Sequence, residues 1–184
     1  MDIHIIKKAV LSSIILGTSL NVLASDLPKE FVDDKGNITL PADFRISTTH
    51  LGSWYVPSGG ASGFHGVYTN EGTIEQFRKT GKFPDGAVLI KELRASNTGN
   101  YTTGQGVSHE TVTLKQWFIM VKDSKSRFSE NPLWADGWAD GWGWALFKAD
   151  APTKNVASNY KIDCLGCYVP AKIKIGFIPK ATLS

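Results

Sequence analysis

Cysteine is almost missing from this chain. Cys164 and Cys167 are the only two in 184 residues, which excludes a scaffold stapled by several disulfides. Charge of one sign is scarce as well. The formal net charge is +3 and no Lys/Arg run stands out, so nothing points to a nucleic-acid surface. Beyond residue 24 no apolar run is long enough to cross a bilayer. There is no Ser-His-Asp order, no Gly-rich phosphate loop and no paired-carboxylate motif, which leaves hydrolytic chemistry without its usual residues.

What is present begins with a secretory leader. Lys7 and Lys8 form a positive start, Ala9 to Leu23 is short and largely apolar, and Val22-Leu23-Ala24 suits cleavage before Ser25. The stretch is too short and too rich in Ser, Thr and Asn to read as a membrane anchor. The expected division is therefore a signal peptide over 1–24 and one domain over 25–184, about the size that one core supports. Without Asp2, Lys7 and Lys8 the balance is 18 basic against 16 acidic residues, or +2. Export places the mature chain in the periplasm, where two close thiols do not stay free.

Strand signals dominate the rest. Ile38 to Leu40, Phe44 to Tyr55, Phe64 to Tyr68, Ala87 to Leu93, Glu110 to Lys122 and Trp142 to Lys148 carry β-branched, aromatic or alternating apolar residues. Thr73 to Thr80 predicts a helix, with Ile74 and Phe77 on its apolar side, Thr73 or Asn70 as cap and Gly81 as stop. Ser58 to Gly63 and Asn97 to Gly106 predict loops, because glycine and small polar residues resist regular structure. The repeated Trp-Ala-Asp-Gly of 134–137 and 138–141 predicts a lengthened loop. The fold class is α+β: a mainly antiparallel sheet in a single domain, with a few flanking helices.

Three sites carry possible chemistry. The first is Asp163-Cys164-Leu165-Gly166-Cys167-Tyr168. Two cysteines at this spacing close a disulfide, hold a metal, or tether both vinyl groups of a c-type haem. In the last case the next residue is ordinarily the histidine that ligates iron. Here it is Tyr168. A phenolate binds ferric iron, but an ordinary tyrosine stays protonated at neutral pH, so it needs a cation such as Lys172 or Lys91. The other reading leaves Tyr168 packed or solvated with no metal role. The second site is the set of histidines beyond the leader, His50, His65 and His109. They show no metal-ligand spacing, and His65, among β-forming residues, ranks first for an axial position. The third is Lys91. Alternation puts it on one face with Leu89 and Leu93, opposite Val88, Ile90 and Glu92. A lysine on an inner sheet face is costly unless paired; otherwise it reaches water.

Leu40-Pro41-Ala42-Asp43-Phe44-Arg45, the run Phe77 to Gly86 continuing through Val88 to Lys91-Glu92-Leu93, Val121-Lys122-Asp123-Ser124-Lys125 and Cys164-x-x-Cys167 occur in this order. In that order the chain resembles the cytochrome P-460 family. The resemblance implies a small periplasmic protein with haem c, mostly antiparallel β and homodimeric. It would oxidise hydroxylamine to nitrous oxide or nitrite and pass electrons to a redox partner protein. It also implies that Cys164 and Cys167 are the haem tethers and that Lys91 is the lysine bonded to a porphyrin meso carbon, hence both cofactor-binding and catalytic. Relatives of the cytochrome c′-beta kind bind nitric oxide without that turnover. Two departures stand out: Tyr168 occupies the proximal histidine position, and the segment after Lys172 does not match the family's ending. A haem-free relative, its cysteines joined to each other, is the third reading.

Overall fold

The computed structural model describes residues 27–101, 104–135, 141–164 and 166. The expected leader, positions 136–140 of the duplicated segment, Cys167, Tyr168 and Lys172 lie outside the described residues. Nine elements follow in order: α1 (Phe44–Ser47), β1 (Thr49–Val56), β2 (Gly63–Thr69), α2 (Thr73–Thr80), β3 (Val88–Tyr101), β4 (Gly104–Lys122), β5 (Trp142–Lys148), β6 (Ala151–Asn155) and α3 (Tyr160–Asp163). The strands form one antiparallel sheet in sequence order. Every strand thus pairs with its chain neighbour, even across the longer connections 70–87 and 123–141. The α+β class read from the sequence is the observed one.

Several elements differ from expectation. Phe44 to Ser47 is a helical turn and not the start of a strand. Asp43 O accepts from Ile46 N at 2.8 Å and Ser47 N at 3.1 Å, and the turn lowers Phe44 into the core at 1% exposure. Ile38 makes only an isolated bridge to Val32. The α2 bounds agree with the expected ones, and Gly81 ends the helix at φ 71 with its N–H on Phe77 O. Its N-cap, however, is Gly72, without a side-chain cap. Asn70 serves the strand instead: its Oδ1 accepts from Val88 N and from the Thr73 hydroxyl.

Asn97 to Gly106 is not an open loop. β3 and β4 stay paired as far as Tyr101 and Gly104, so backbone bonding carries a hairpin arm whose described side chains bury little. β6 gave little warning, since an exposed edge strand containing Pro152 needs few apolar residues.

The sheet's two faces are covered differently. Val88, Ile90, Trp117, Ile119, Val121, Ala145 and Phe147 pack under the N-terminal segment, which contributes Leu27, Phe31, Val32, Ile38 and Phe44, and under Trp134. A phase change occurs along β4. Leu114 and Trp117 both pack in this cluster although they are an odd number of residues apart, and the register shifts opposite Arg94 supply the extra residue. Glu92, on the same face, is 6% exposed. It accepts from Arg45, Arg94 and the Trp117 indole.

Candidate functional site

The second face carries Lys91 and Cys164, two of the residues singled out in the sequence. Cross-strand partners share a face in an antiparallel sheet, so the register reads off its side chains in rows. One row is Trp54, His65, Leu93, Gln116 and Lys148. The next is Val67, Lys91, Phe118 and Leu146. A third is Thr69, Leu89, Met120 and Trp144, and Lys122 pairs with Trp142 at the end of the face. Lys91 therefore stands on the central strand β3 with Leu89 and Leu93, as alternation implied.

Its Nζ lies 4.3 Å from the centre of the Phe118 ring, an attraction that strengthens as water is excluded. None of these strand side chains is Asp or Glu, whereas Lys91, Lys122 and Lys148 are cations. The described rows are apolar and aromatic with three lysines among them, a composition that suits a flat apolar ligand with negative charge at its rim.

Cys164 arrives on this face through a tightly tied C-terminal turn. Asn159 caps α3, accepting from Lys161 N. The Asp163 carboxylate accepts from Ser158 N at 2.7 Å, Ser158 Oγ at 3.0 Å and Asn159 N at 3.1 Å, and these bonds hold its carboxyl below the ordinary range. Tyr160 N reaches Pro132 O at 3.0 Å, and Cys164 N closes the turn on Tyr160 O at 3.1 Å. Cys164 is 7% exposed and clusters with Ala87, Trp142, Trp144, Ala157 and Tyr160, with Leu89, Met120 and Leu146 packed alongside. Cys164 and Lys91 thus share one face and one hydrophobic floor.

The three histidines separate clearly. His50 is exposed and bonds Ser53 Oγ at 2.8 Å. His109, also exposed, bonds the Tyr55 hydroxyl at 2.9 Å. His65 is 4% exposed. Its ring stacks on Trp54 at 4.9 Å and 21°, and Nε2 lies 2.7 Å from Ala61 O. Burial lowers its affinity for a proton, the Ala61 bond opposes that, and the charges of Lys91 and Lys115 lower it further. These influences together favour the neutral ring.

Among the described residues no group of three or more His, Cys, Asp or Glu side chains converges to hold a bare metal ion, and no helix is long and apolar enough to cross a membrane. A groove of about 330 Å³ near Pro28, Asn70, Glu71 and Gln76 lies outside this chemistry. Its Asp85 is already engaged by Arg127 at 2.6 Å. The sequence singles out Lys91, His65 and Cys164 but gives no sign that Phe118, Met120, Trp144 and Leu146 share their face. The alternation of β4 and β5 contained them, yet only the register assigns them to the face of Lys91.

Comparison with known proteins gives one family. The family model described as Cytochrome P460 matches residues 41–174, well over half of the chain. No curated protein matches it.

Proposed function

The chain belongs to the cytochrome P460 family of haem proteins, and from that premise we propose that it is an exported, periplasmic haem c protein that oxidises hydroxylamine and delivers the electrons to a redox partner protein. The observation that carries this reading is the meeting of Lys91 and Cys164 on one face, floored by Leu89, Phe118, Met120, Trp144 and Leu146, whose described strand rows carry no Asp or Glu. Those residues fit a porphyrin. The floor would match its apolar plane, Lys122 and Lys148 would match the charge of its propionates, and Cys164 brings its sulfur to the same floor for a thioether. A homodimer is part of the same proposal.

Haem, when bound, supplies the redox chemistry of its iron for a small nitrogen substrate. The chain supplies attachment and environment. Cys164 with Cys167 would tether the vinyl groups, and Lys91 Nζ would bond the meso carbon. The hydrophobic floor keeps bulk water from the reacting centre, which strengthens every charge interaction there. Position 168 carries a tyrosine where the family places its ligating imidazole, and a Tyr168 phenolate would be one candidate to hold the iron.

The experiment is expression of the full chain with c-type haem attachment machinery. The expected results are a haem c signal in the pyridine haemochrome assay, a haem-bearing peptide that contains both Cys164 and Lys91 by mass spectrometry, and hydroxylamine-dependent reduction of an electron acceptor. Lys91→Ala should keep the thioethers while losing the lysine link and most of the turnover. Colourless protein refutes the proposal. Tight nitric oxide binding without hydroxylamine turnover would convert it to a gas-binding protein.

A further inference from the structure

The His65 ring has two unlike edges. Nε2 faces the Ala61 carbonyl oxygen at 2.7 Å. A carbonyl only accepts, so Nε2 carries the proton and Nδ1 the lone pair. Nδ1 is buried and has no hydrogen-bond partner among the described residues. A buried acceptor left without a donor is rare enough to require a cause.

The ring is also fixed in place. Trp54 stacks on it at 4.9 Å, and the Ala61 bond sets its tautomer and its tilt. A backbone carbonyl that accepts from the far ring nitrogen is the arrangement that orients a metal-bound imidazole and raises its basicity. Register puts His65 opposite Leu93 and diagonal to Lys91, on the face that also holds Cys164. The same chain carries Tyr168 where an imidazole is expected after Cys167.

We propose that His65, through Nδ1, is an axial ligand of the haem iron and replaces the imidazole that position 168 lacks. The inference rests on the haem-protein reading above. Ligation uses the Nδ1 lone pair and displaces no proton, since that nitrogen is already bare. Ala61 O then holds the ring edge-on, and Trp54 closes the side away from the porphyrin. His65 is a ligand in this scheme, while Trp54 and Ala61 are positioning groups.

The test uses the full chain with its haem, produced with [15N]histidine, and reads the magnetic coupling of histidine nitrogen to ferric iron. The pyridine haemochrome assay comes first. Absence of haem c overturns the functional reading and this inference together. With haem c present, the coupling should appear in the unmodified protein and persist in His50→Ala and His109→Ala. It should vanish in His65→Ala and return as unlabelled imidazole coupling when imidazole is added. A coupling absent from the unmodified protein, or retained in His65→Ala, overturns the inference and leaves the haem reading intact. If His65→Ala does not accumulate, His65→Gln, which keeps an amide donor for Ala61, takes its place. Absence of the coupling from the labelled unmodified protein overturns the inference in either case.

Discussion

Gly143→Ala is the sharpest test of how the sheet is packed. A Cβ built on Gly143 meets Cδ2 and Cε3 of Trp134 at 2.6 Å and Cε2 at 2.7 Å. Carbon contacts are most favourable at about 3.5–4.0 Å, so the indole must retreat by about 1 Å. It has nowhere easy to go. Trp134 is 4% exposed, its Nε1 donates to Gly36 O at 2.8 Å, and Phe128 lies against it at 4.8 Å. Phe128 is itself pressed on Gly36, where a Cβ would lie 2.7 Å from its ring.

Overpacking of this kind costs about 1–3 kcal/mol, and loss of the indole bond adds about 1 kcal/mol. For a chain of this size the sum lowers Tm by roughly 5–15 °C. Gly52→Ala is the control, since nothing lies within 4 Å of its Cβ, and it should stay within about 0.5 kcal/mol. Differential scanning calorimetry on both variants gives the answer. Equal melting shifts in the two would refute the claim that Trp134 is clamped between the sheet and the Gly36 turn.

Other predictions follow from the same geometry. Glu92→Gln weakens three bonds around a side chain 7% exposed and should cost about 1–3 kcal/mol in chemical denaturation, without disturbing the opposite face where Lys91 stands. Arg127→Ala leaves Asp123, only 3% exposed, and Asp85 without their guanidinium. A loss of about 2–4 kcal/mol is expected, below the full cost of breaking a buried pair because Arg127 is partly solvated. Burial alone would raise the Asp85 carboxyl, but the bonds from Arg127 and Ser124 outweigh it and hold the group below its ordinary 3.8. A depressed carboxylate stabilises the fold above that value and ceases to do so as pH falls through the folded-state value. The stability gap between the unmodified protein and Asp85→Asn should therefore be full at pH 7 and shrink as pH drops below about 4, measured by urea titration across pH.

The family resemblance and the two-faced character of β3 are legible in the sequence alone. Val88, Ile90 and Glu92 against Leu89, Lys91 and Leu93 is a period-two pattern, and a strand must obey it. The Thr73–Thr80 helix was legible for a similar local reason: Ile74 and Phe77 face one way, and Gly81 adopts the left-handed conformation that stops it. Phe44 to Ser47 was not. Its residues favour strand, but burial of Phe44 beneath the sheet demanded a turn there, and tertiary packing overrode propensity. The hairpin arm through Asn97 was hidden for the opposite reason, since backbone pairing holds it and small polar side chains give no signal.

Local order alone decided much of what the segments are: five of the six strands, the Thr73–Thr80 helix, a Cys164-x-x-Cys167 pair, and a lysine inside an apolar run. None of that states which residues meet. Strand register, set by hydrogen bonds between segments far apart in the chain, brought Phe118, Met120, Trp144 and Leu146 to the face of Lys91. The α3 turn delivered Cys164 to the same floor. β-forming neighbours ranked His65 first, but only the packed structure showed it buried against Trp54 with a bare Nδ1 while His50 and His109 lie on the surface, because burial and an orphaned lone pair are properties of a neighbourhood and not of a residue type.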